Sequence, residues 1–382
     1  MNLLNGIVDI FPSIDLQEFL KTPKRIKLGF DPTTDFLHLG HAVLLRKLRQ
    51  FQKENHRPII IIGDFTARIG DPTGKSKTRK QLTKEEVESN VNNFLSILSK
   101  FIDLEKAEIV FNSKHLEKLS LASIIELQSI VTVNQLLAKK DFQQRFDKQI
   151  PIALHEFMYP LLQGYDSHFT SSEIELGGID QKFNISMGRD VQRHFGNESN
   201  QIGMLMPILC GTDGTLKMSK SLNNAIRIDE HPLILFSQLE KIPDHLVDDY
   251  IVLLTDLEKS TFSQDPRERQ KQMALEVVSE FYGLEVALNA MRESQQIVLS
   301  NSNISNVPEI SISQIKFPIG LSILLRELKL SESSSAARRS IRSGCIKLDG
   351  VKIMDENMQV KLNDVENVII QMSKNSFHRF VL

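Results

Sequence analysis

The chain has 382 residues, of which 25% are charged, and a formal net charge of −2. That length buries a sizeable core and predicts two or three domains, while the near-neutral balance excludes a basic coat over the whole molecule, so any polyanion site must be local. Its two cysteines, Cys210 and Cys345, lie far apart without metal-ligand spacing; the first twenty residues hold no basic leader, and no apolar run approaches the roughly 18 residues of a membrane span, so a cytoplasmic location with no membrane attachment is expected.

Taken in chain order, RIKLGF (residues 25–30) predicts a short strand. After the polar loop DPTTDF a helical pattern begins near Leu39 and runs to about Glu54. It places Leu44, Leu45, Leu48 and Phe51 on one face and Arg46, Lys47, Arg49 and Lys53 mostly elsewhere. RPIIIIGDF (57–65) is a continuous β-branched run that suits a strand covered on both faces. Strand, helix and strand imply parallel pairing through a right-handed crossover. Thr83 with Glu86 predicts a capping box for a helix carrying Val87, Val91, Phe94 and Leu95, and AEIVFN (107–112) predicts the next strand. The first 220 or so residues therefore read as an open α/β nucleotide-binding sheet. From Ile226 to Leu299 the patterns are long and helical with no clear strands. Asn301–Gln314 is polar, contains a proline and reads as a linker. Residues 317–382 show two short helical segments, then a hairpin marked by Asp349-Gly350, with ten Lys/Arg against seven Asp/Glu. No internal repeat or low-complexity segment is present.

Three short stretches carry candidate chemistry. GDPTGKS (70–76) ends like a phosphate-binding loop of nucleotide hydrolases. Only Asp71, Pro72 and Thr73 separate its glycines, however, where that loop has four residues, so a surface turn or another kind of phosphate site stays open. HLGH (38–41) sits where a loop becomes a helix. Helix starts offer unpaired N–H groups and a positive dipole end, two imidazoles can donate to phosphate oxygens, and Gly40 permits close approach. A helix start with two incidental histidines is the plainer alternative; a zinc site would need ligands that no nearby segment offers. KMSKS (217–221) follows a loop with glycines at 211 and 214, and its lysines, three apart, can swing onto a polyphosphate and leave again. Alone it would read as a solvated lysine turn.

HLGH close after the first strand and KMSKS about 180 residues later resemble the paired signatures of class I aminoacyl-tRNA synthetases. The finer resemblance is to bacterial tyrosyl-tRNA synthetases and spans nearly the whole chain. It is carried by GFDPTTDFLHLGH (29–41), IGDFTARIGDPTGKSKTR (62–79), EFMYPLLQGYD (156–166), ELGGIDQKFN (175–184) and KMSKS. It implies a Rossmann-like parallel-sheet catalytic domain over 1–225, with a dimer-forming insertion near 120–160, and an α-helical anticodon-arm-binding domain over 226–300. A linker over 301–316 and a small α+β RNA-binding domain over 317–382, like one first described in a ribosomal small-subunit protein, complete the expected plan.

The reaction implied is activation of L-tyrosine by ATP, accompanied by Mg2+, to tyrosyl-adenylate and pyrophosphate, followed by transfer to the 3′ end of tRNA(Tyr). No tightly bound cofactor and no protein metal cage are implied. Under this resemblance Asp71, Tyr159 and Gln163 meet the tyrosine ammonium, Asp166 accepts the phenolic hydroxyl, Gln181 orients the carboxylate, and Gly29 lines the pocket. Thr33 and His38 contact the triphosphate and His41 the ribose region, with Gly40 beside them; Gly178 and Asp180 meet the ribose hydroxyls, and backbone near Ile208 and Leu209 holds the adenine. Lys75, Arg79, Lys217 and Lys220 stabilise the departing pyrophosphate, with Met218, Ser219 and Ser221 completing the ATP loop; Arg338, Arg339, Arg342 and Lys347 form an RNA patch. One departure stands out. Many relatives carry a tyrosine at the position of Lys27, so either Asp166 takes more of the phenol recognition or Lys27 turns away. This, with the full lysine content of KMSKS, suggests the second bacterial subgroup. The rivals are a tryptophanyl-tRNA synthetase and an RNA-binding relative with an inactive core.

Overall fold

The computed structural model describes residues 3–33, 36–73, 83–197, 201–299, 308–349, 351–365, 368–373 and 376–382. The chain divides into two compact units, one of residues 1–229 and 248–259, the other of residues 230–247 and 260–382.

The first unit is built on a six-stranded sheet. Its strands are β1 (Asp9–Phe11), β2 (Arg25–Phe30), β3 (Arg57–Ile62), β4 (Glu108–Phe111), β5 (Ile174–Gly178) and β6 (Ile202–Met206), in the order β1-β6-β5-β2-β3-β4. All neighbours are parallel except β1, which runs antiparallel to β6. The parallel strands are apolar on both faces, as β3 shows, where Ile59, Ile60, Ile61 and Ile62 are all buried. The crossover from β2 to β3 is helix α1 (Leu39–Lys53), and that from β3 towards β4 carries α2 (Lys84–Leu98), whose Thr83–Glu86 capping box forms as expected.

Helix α1 departs from its expected polarity. Leu45, Leu48 and Phe51 are buried as predicted, but so are Arg46 and Lys47. Arg46 pairs with Asp256 at 2.8 Å, and Lys47 donates to the carbonyls of Leu3 and Asn5 and to Gln50. Periodicity could not reveal this, because both partners on other segments arrive only through the fold. Burial, ahead of neighbouring charges, pushes Lys47 down to about 8 and Arg46 to about 10.

Helices α3 (Lys140–Asp147), α4 (Leu154–Thr170) and α5 (Lys182–His194) complete the part of this unit that shapes the site. The buried Arg145–Glu156 pair, with Nη1 2.6 Å from Oε2, fixes α3 against the start of α4.

The second unit begins with helices α6 (Pro232–Leu239), α7 (Pro266–Tyr282) and α8 (Leu284–Leu299), whose buried Leu235, Phe236, Met273, Val277 and Ala287 form an all-helical core. After it come β7 (Glu309–Ser311), α9 (Leu321–Glu327), α10 (Ser334–Arg342), the hairpin β8 (Lys347–Leu348) and β9 (Val351–Lys352), β10 (Ile369–Ser373) and β11 (Ser376–Val381). These five strands form one sheet in the order β9-β8-β10-β11-β7. Leu321, Leu324, Leu325, Ala337 and Ile341 from the two helices close over Leu348, Ile370 and Phe380. The stretch read as a linker is therefore structured in part: Glu309–Ser311 pairs in parallel with Arg379–Val381. Its polar composition hid it, since an edge strand of three residues needs few apolar side chains. No helix among the described residues is long and apolar enough to cross a membrane.

Candidate active site

The ends of β2, β5 and β6, the start of α1 and the inner face of α4 enclose a cavity of about 280 Å³ in the first unit. Of the residues singled out from the sequence, Gly29, Thr33, His38, Gly40, His41, Asp71, Tyr159, Gln163, Asp166, Gly178, Asp180, Gln181, Leu209, Lys217 and Met218 all line it. Residues up to 189 positions apart thus share one space, at the carboxyl ends of parallel strands where ligands of such folds bind. Ser219 and Lys220 are not among the lining residues, and the Lys220 ammonium lies 5.2 Å from the Phe36 ring centroid; the side chain of Ser221 lies outside the described residues. Lys75 and Arg79 fall outside the described residues.

At the helix-start end, His38 caps α1 in an extended conformation, and its backbone N–H donates to His41 Nδ1 at 3.1 Å. That bond makes Nδ1 the acceptor, so the proton of neutral His41 sits on Nε2. The two rings lie 3.9 Å apart. Burial, the neighbouring imidazole and Lys217 drive His38 down to about 2; burial and Lys217, against the bond from His38, bring His41 to about 4. Both are therefore neutral donors at physiological pH rather than cations. Gly40 is required here, because a Cβ would come within 3.0 Å of the His38 ring.

The loop that follows β6 is a built structure. Cys210 and Lys217 bridge, Met218 N–H donates to Leu209 O, and Asn224 Oδ1 accepts from Ser219 N–H at 2.8 Å. Lys217 Nζ meets Asp180 Oδ2 at 2.5 Å, so a residue of KMSKS and the acid of GGIDQ already share a place.

The opposite end is acidic. Tyr159, Gln163 and Asp166 occur at i, i+4 and i+7 on α4 and face the cavity together. Tyr159 Oη donates to Asp31 Oδ2 at 2.9 Å, while Thr66 Oγ1 donates to Asp31 Oδ1 at 2.7 Å. Burial first, then the charges of Asp31, Asp71 and Asp166, hold the Tyr159 phenol protonated well above its usual range. Gly63 makes room for this arrangement, since a Cβ there would stand 2.1 Å from Asp31 Oδ1. Asp166 bonds His115 Nε2 at 2.7 Å and Asn112 Nδ2 at 3.2 Å. Asp71 accepts from Thr73 N–H at 2.8 Å and from Gln181 Nε2 at 2.7 Å. Burial alone would raise Asp71; the charge of Lys139 and the bonds from Thr73 and Gln181 more than offset it, leaving the carboxyl below its ordinary value.

Lys27 borders the cavity, but its ammonium is taken up by the protein. Its Nζ meets Glu175 Oε1 at 2.9 Å, Gln163 O at 2.8 Å and Ser167 Oγ at 2.7 Å, which uses all three ammonium protons. Lys27 and Glu175 are 1% and 2% exposed and sit opposite each other in the β2–β5 register. Sequence reasoning missed Glu175, Asp31, Asn112, His115, Lys139 and Asn184. A signal existed for the first: opposite charges lay inside two otherwise apolar strands, which demands a partner for each.

Residues 20–298 match the family described as tRNA synthetases class I (W and Y), and residues 319–365 match the S4 domain. A tyrosine–tRNA ligase of Prochlorococcus marinus (strain NATL2A) is 48% identical over 399 residues, covering 98% of this chain and 96% of that protein. The chain belongs to the tyrosine–tRNA ligases. A second member, from Synechococcus elongatus, is 48% identical over 94% of this chain and 90% of its own length. In fold, the chain is similar to a C-terminally truncated mitochondrial tyrosyl-tRNA synthetase of Aspergillus nidulans, with a TM-score of 0.66 at 21% identity over 77% of this chain and 93% of that one. It is likewise similar to the tyrosyl-tRNA synthetase of Archaeoglobus fulgidus complexed with L-tyrosine, with a TM-score of 0.58 at 19% identity over 76% and 97%. Both the fold class expected from the sequence and the ligase family are borne out. The tryptophanyl and inactive-core alternatives lose their ground to relatives that carry the tyrosine–tRNA ligase name over nearly the full length.

Proposed function

We propose that the cavity binds L-tyrosine at its acidic end and ATP between His38, His41 and the Lys217–Ser221 loop, and joins them as tyrosyl-adenylate. The carrying observation is that Asp71, Asp166, His38, His41, Asp180 and Lys217 all face one enclosed space. The tyrosine ammonium goes to Asp71, Tyr159 and Gln163. Its phenol goes to Asp166, whose second-sphere partners His115 and Asn112 hold the carboxylate in place. A buried acceptor built for a hydroxyl refuses phenylalanine, whose entry would leave it unpaired, a principle for which this enzyme family is itself the standard illustration.

The carboxylate of tyrosine attacks the α-phosphorus in line, the bond from that phosphorus to the α,β-bridging oxygen breaks, and pyrophosphate leaves with that oxygen. No side chain needs to act as nucleophile. Neutral His38 and His41 donate hydrogen bonds to phosphate oxygens, while Thr33, Lys75, Arg79, Lys217 and Lys220 stabilise charge that grows as the pyrophosphate departs. Asp180 exchanges Lys217 for the ribose hydroxyls, and Gly29, Gly178, Leu209 and Met218 border the bound nucleotide. Magnesium enters with ATP, coordinated chiefly by the phosphates.

The activated tyrosine then passes to the 3′ end of tRNA(Tyr). Residues 226–300 would meet the anticodon arm, and 317–382 would bind RNA through Arg338, Arg339, Arg342 and Lys347, joined by a segment around 301–316. A homodimer is supported by large apolar side chains exposed between 121 and 154, namely Leu121, Ile125, Val133, Phe146 and Leu154. Sedimentation showing only a 43.5 kDa species would remove the dimer. For the reaction itself, ATP–pyrophosphate exchange is measured with tyrosine, tryptophan and phenylalanine in parallel. Exchange supported by tyrosine alone is expected; none with tyrosine would refute the assignment.

A further inference from the structure

Lys139 does not line the cavity, yet it heads two hydrogen-bond paths that lead to its amino-acid end, one through Asn184 and one through Thr73. It is 4% exposed, and its Nζ donates to Asn184 Oδ1 and to Thr73 Oγ1, both at 2.7 Å. An ammonium can only donate, so Asn184 must show it the carbonyl oxygen and turn its amide nitrogen the other way. That nitrogen donates to Gln163 Oε1 and to Gln181 Oε1, each at 3.1 Å. Gln163 and Gln181 must then send their own nitrogens outwards. Gln163 Nε2 meets Glu175 Oε1 at 3.0 Å and Gln181 Nε2 meets Asp71 Oδ2 at 2.7 Å. Both receivers are carboxylates, which only accept. A donor-only group at one end and acceptor-only groups at the others leave no freedom: reversing any amide would set two donors or two acceptors face to face. The second branch obeys the same logic, because Lys139 donates into Thr73 Oγ1 and frees that hydroxyl proton for Asp71.

We propose that Lys139 is a positioning residue that sets the hydrogen-bond polarity of the amino-acid pocket, acting through Asn184 on Gln163 and Gln181 and through Thr73 on Asp71. The benefit is specific to a cation. With the network in this sense, Gln163 presents a carbonyl oxygen and Asp71 keeps free lone pairs. Tyr159, which gives its proton to Asp31, adds a third acceptor. Three acceptors suit the three protons of a substrate ammonium. In the reversed sense Gln163 would offer an N–H group to that cation. Lys139 acts at a distance from the substrate, and it is anchored between α3 and the turn before it rather than on the sheet.

This inference rests on the tyrosine-activating role proposed above, and one set of experiments separates the two. The full chain and its Lys139→Met variant are compared by tyrosine-dependent ATP–pyrophosphate exchange, and by direct binding of tyrosine and of 3-(4-hydroxyphenyl)propionate, which is tyrosine without the ammonium. Losing an ordered hydrogen bond to a charged group corresponds to about tenfold or more in affinity. The KM for tyrosine should therefore rise by about tenfold or more. The KM for ATP and the affinity for the propionate should stay within about twofold, and kcat should change little. Lys139→Arg, still a pure donor, should keep most of the tyrosine affinity. An unchanged tyrosine KM, or equal weakening of both ligands, would overturn the proposal, since the second pattern is that of general collapse. Should Lys139→Met fail to fold, Lys139→Gln carries the same expectation, because its amide can present either end. A wild-type chain with no tyrosine-dependent exchange would overturn the activity assignment instead.

Discussion

At the scale of single residues, the site works with groups whose charge state is fixed by burial. His38 and His41 are neutral because solvation is withdrawn and a lysine stands nearby, so each can donate a hydrogen bond without adding a proton-dependent charge. The same shifts have a thermodynamic consequence. A histidine with a depressed folded pKa binds fewer protons when folded than when unfolded, so stability rises with pH between the folded and unfolded values. The contribution is complete above about 6.5 and is lost as pH falls towards about 4 for His41. The melting temperature of the wild type should therefore drop more steeply from pH 7 to pH 5 than that of His41→Asn. Parallel slopes in thermal denaturation would show that His41 is not buried in its neutral form. Lys27 and Glu175 illustrate another solution, in which two buried groups of opposite charge pair at 2.9 Å and Ser167 and Gln201 donate to the same carboxylate. Removing only one of them would strand the other, so their joint replacement should be tolerated better than either single change.

At the scale of elements, helix α4 and the loop after β6 divide the labour. Helix α4 packs against α5, and its pocket face presents Tyr159, Gln163 and Asp166 at i, i+4 and i+7. The loop is hydrogen-bonded within itself through Asp213 and Asn224, and Lys217 joins it to Asp180 by an exposed ion pair. An exposed pair of this kind contributes on the order of 0–1 kcal/mol, so breaking it costs little. Under the proposed mechanism Lys220, which stands beside Phe36 and off the cavity lining, reaches the triphosphate through movement of this loop. Lys220→Ala should accordingly slow adenylate formation by about a hundredfold, as loss of a charge-stabilising group does, while tyrosine affinity barely changes. Single-turnover kinetics unaltered by the substitution would remove Lys220 from the reaction.

At the scale of the whole molecule, the −2 net charge conceals a division between chemistry and RNA binding. Arg338, Arg339 and Arg342 are exposed on α10 while Ala337 and Ile341 of the same helix are buried, so the helix presents its cations outward from a closed core. Arg342 also pairs with Glu356 at 2.6 Å, which leaves Arg338 and Arg339 as the stronger candidates for phosphate contact. Replacing both by alanine should weaken tRNA binding and make its salt dependence shallower by roughly one unit per charge, with tyrosine activation unaffected. A salt slope equal to that of the wild type would place the RNA elsewhere.

The primary structure alone determined the parallel α/β scaffold, the helical region after it, the hairpin of β8 and β9 and many, but not all, of the side chains that line the cavity, Asp31 and Glu175 being among those it missed. Each of these depends on local periodicity, turn chemistry or a contiguous motif, which a linear chain displays directly. Folding in three dimensions decided the partners. It buried Arg46 and Lys47 on a face that periodicity assigned to solvent, and recruited Glu309–Ser311 into a sheet. It also turned Lys27 towards Glu175 and set Lys139 behind Asn184. Whether a buried polar group is satisfied depends on atoms tens or hundreds of residues away, so only the folded chain could reveal which side chains line the cavity and which hold those side chains in place.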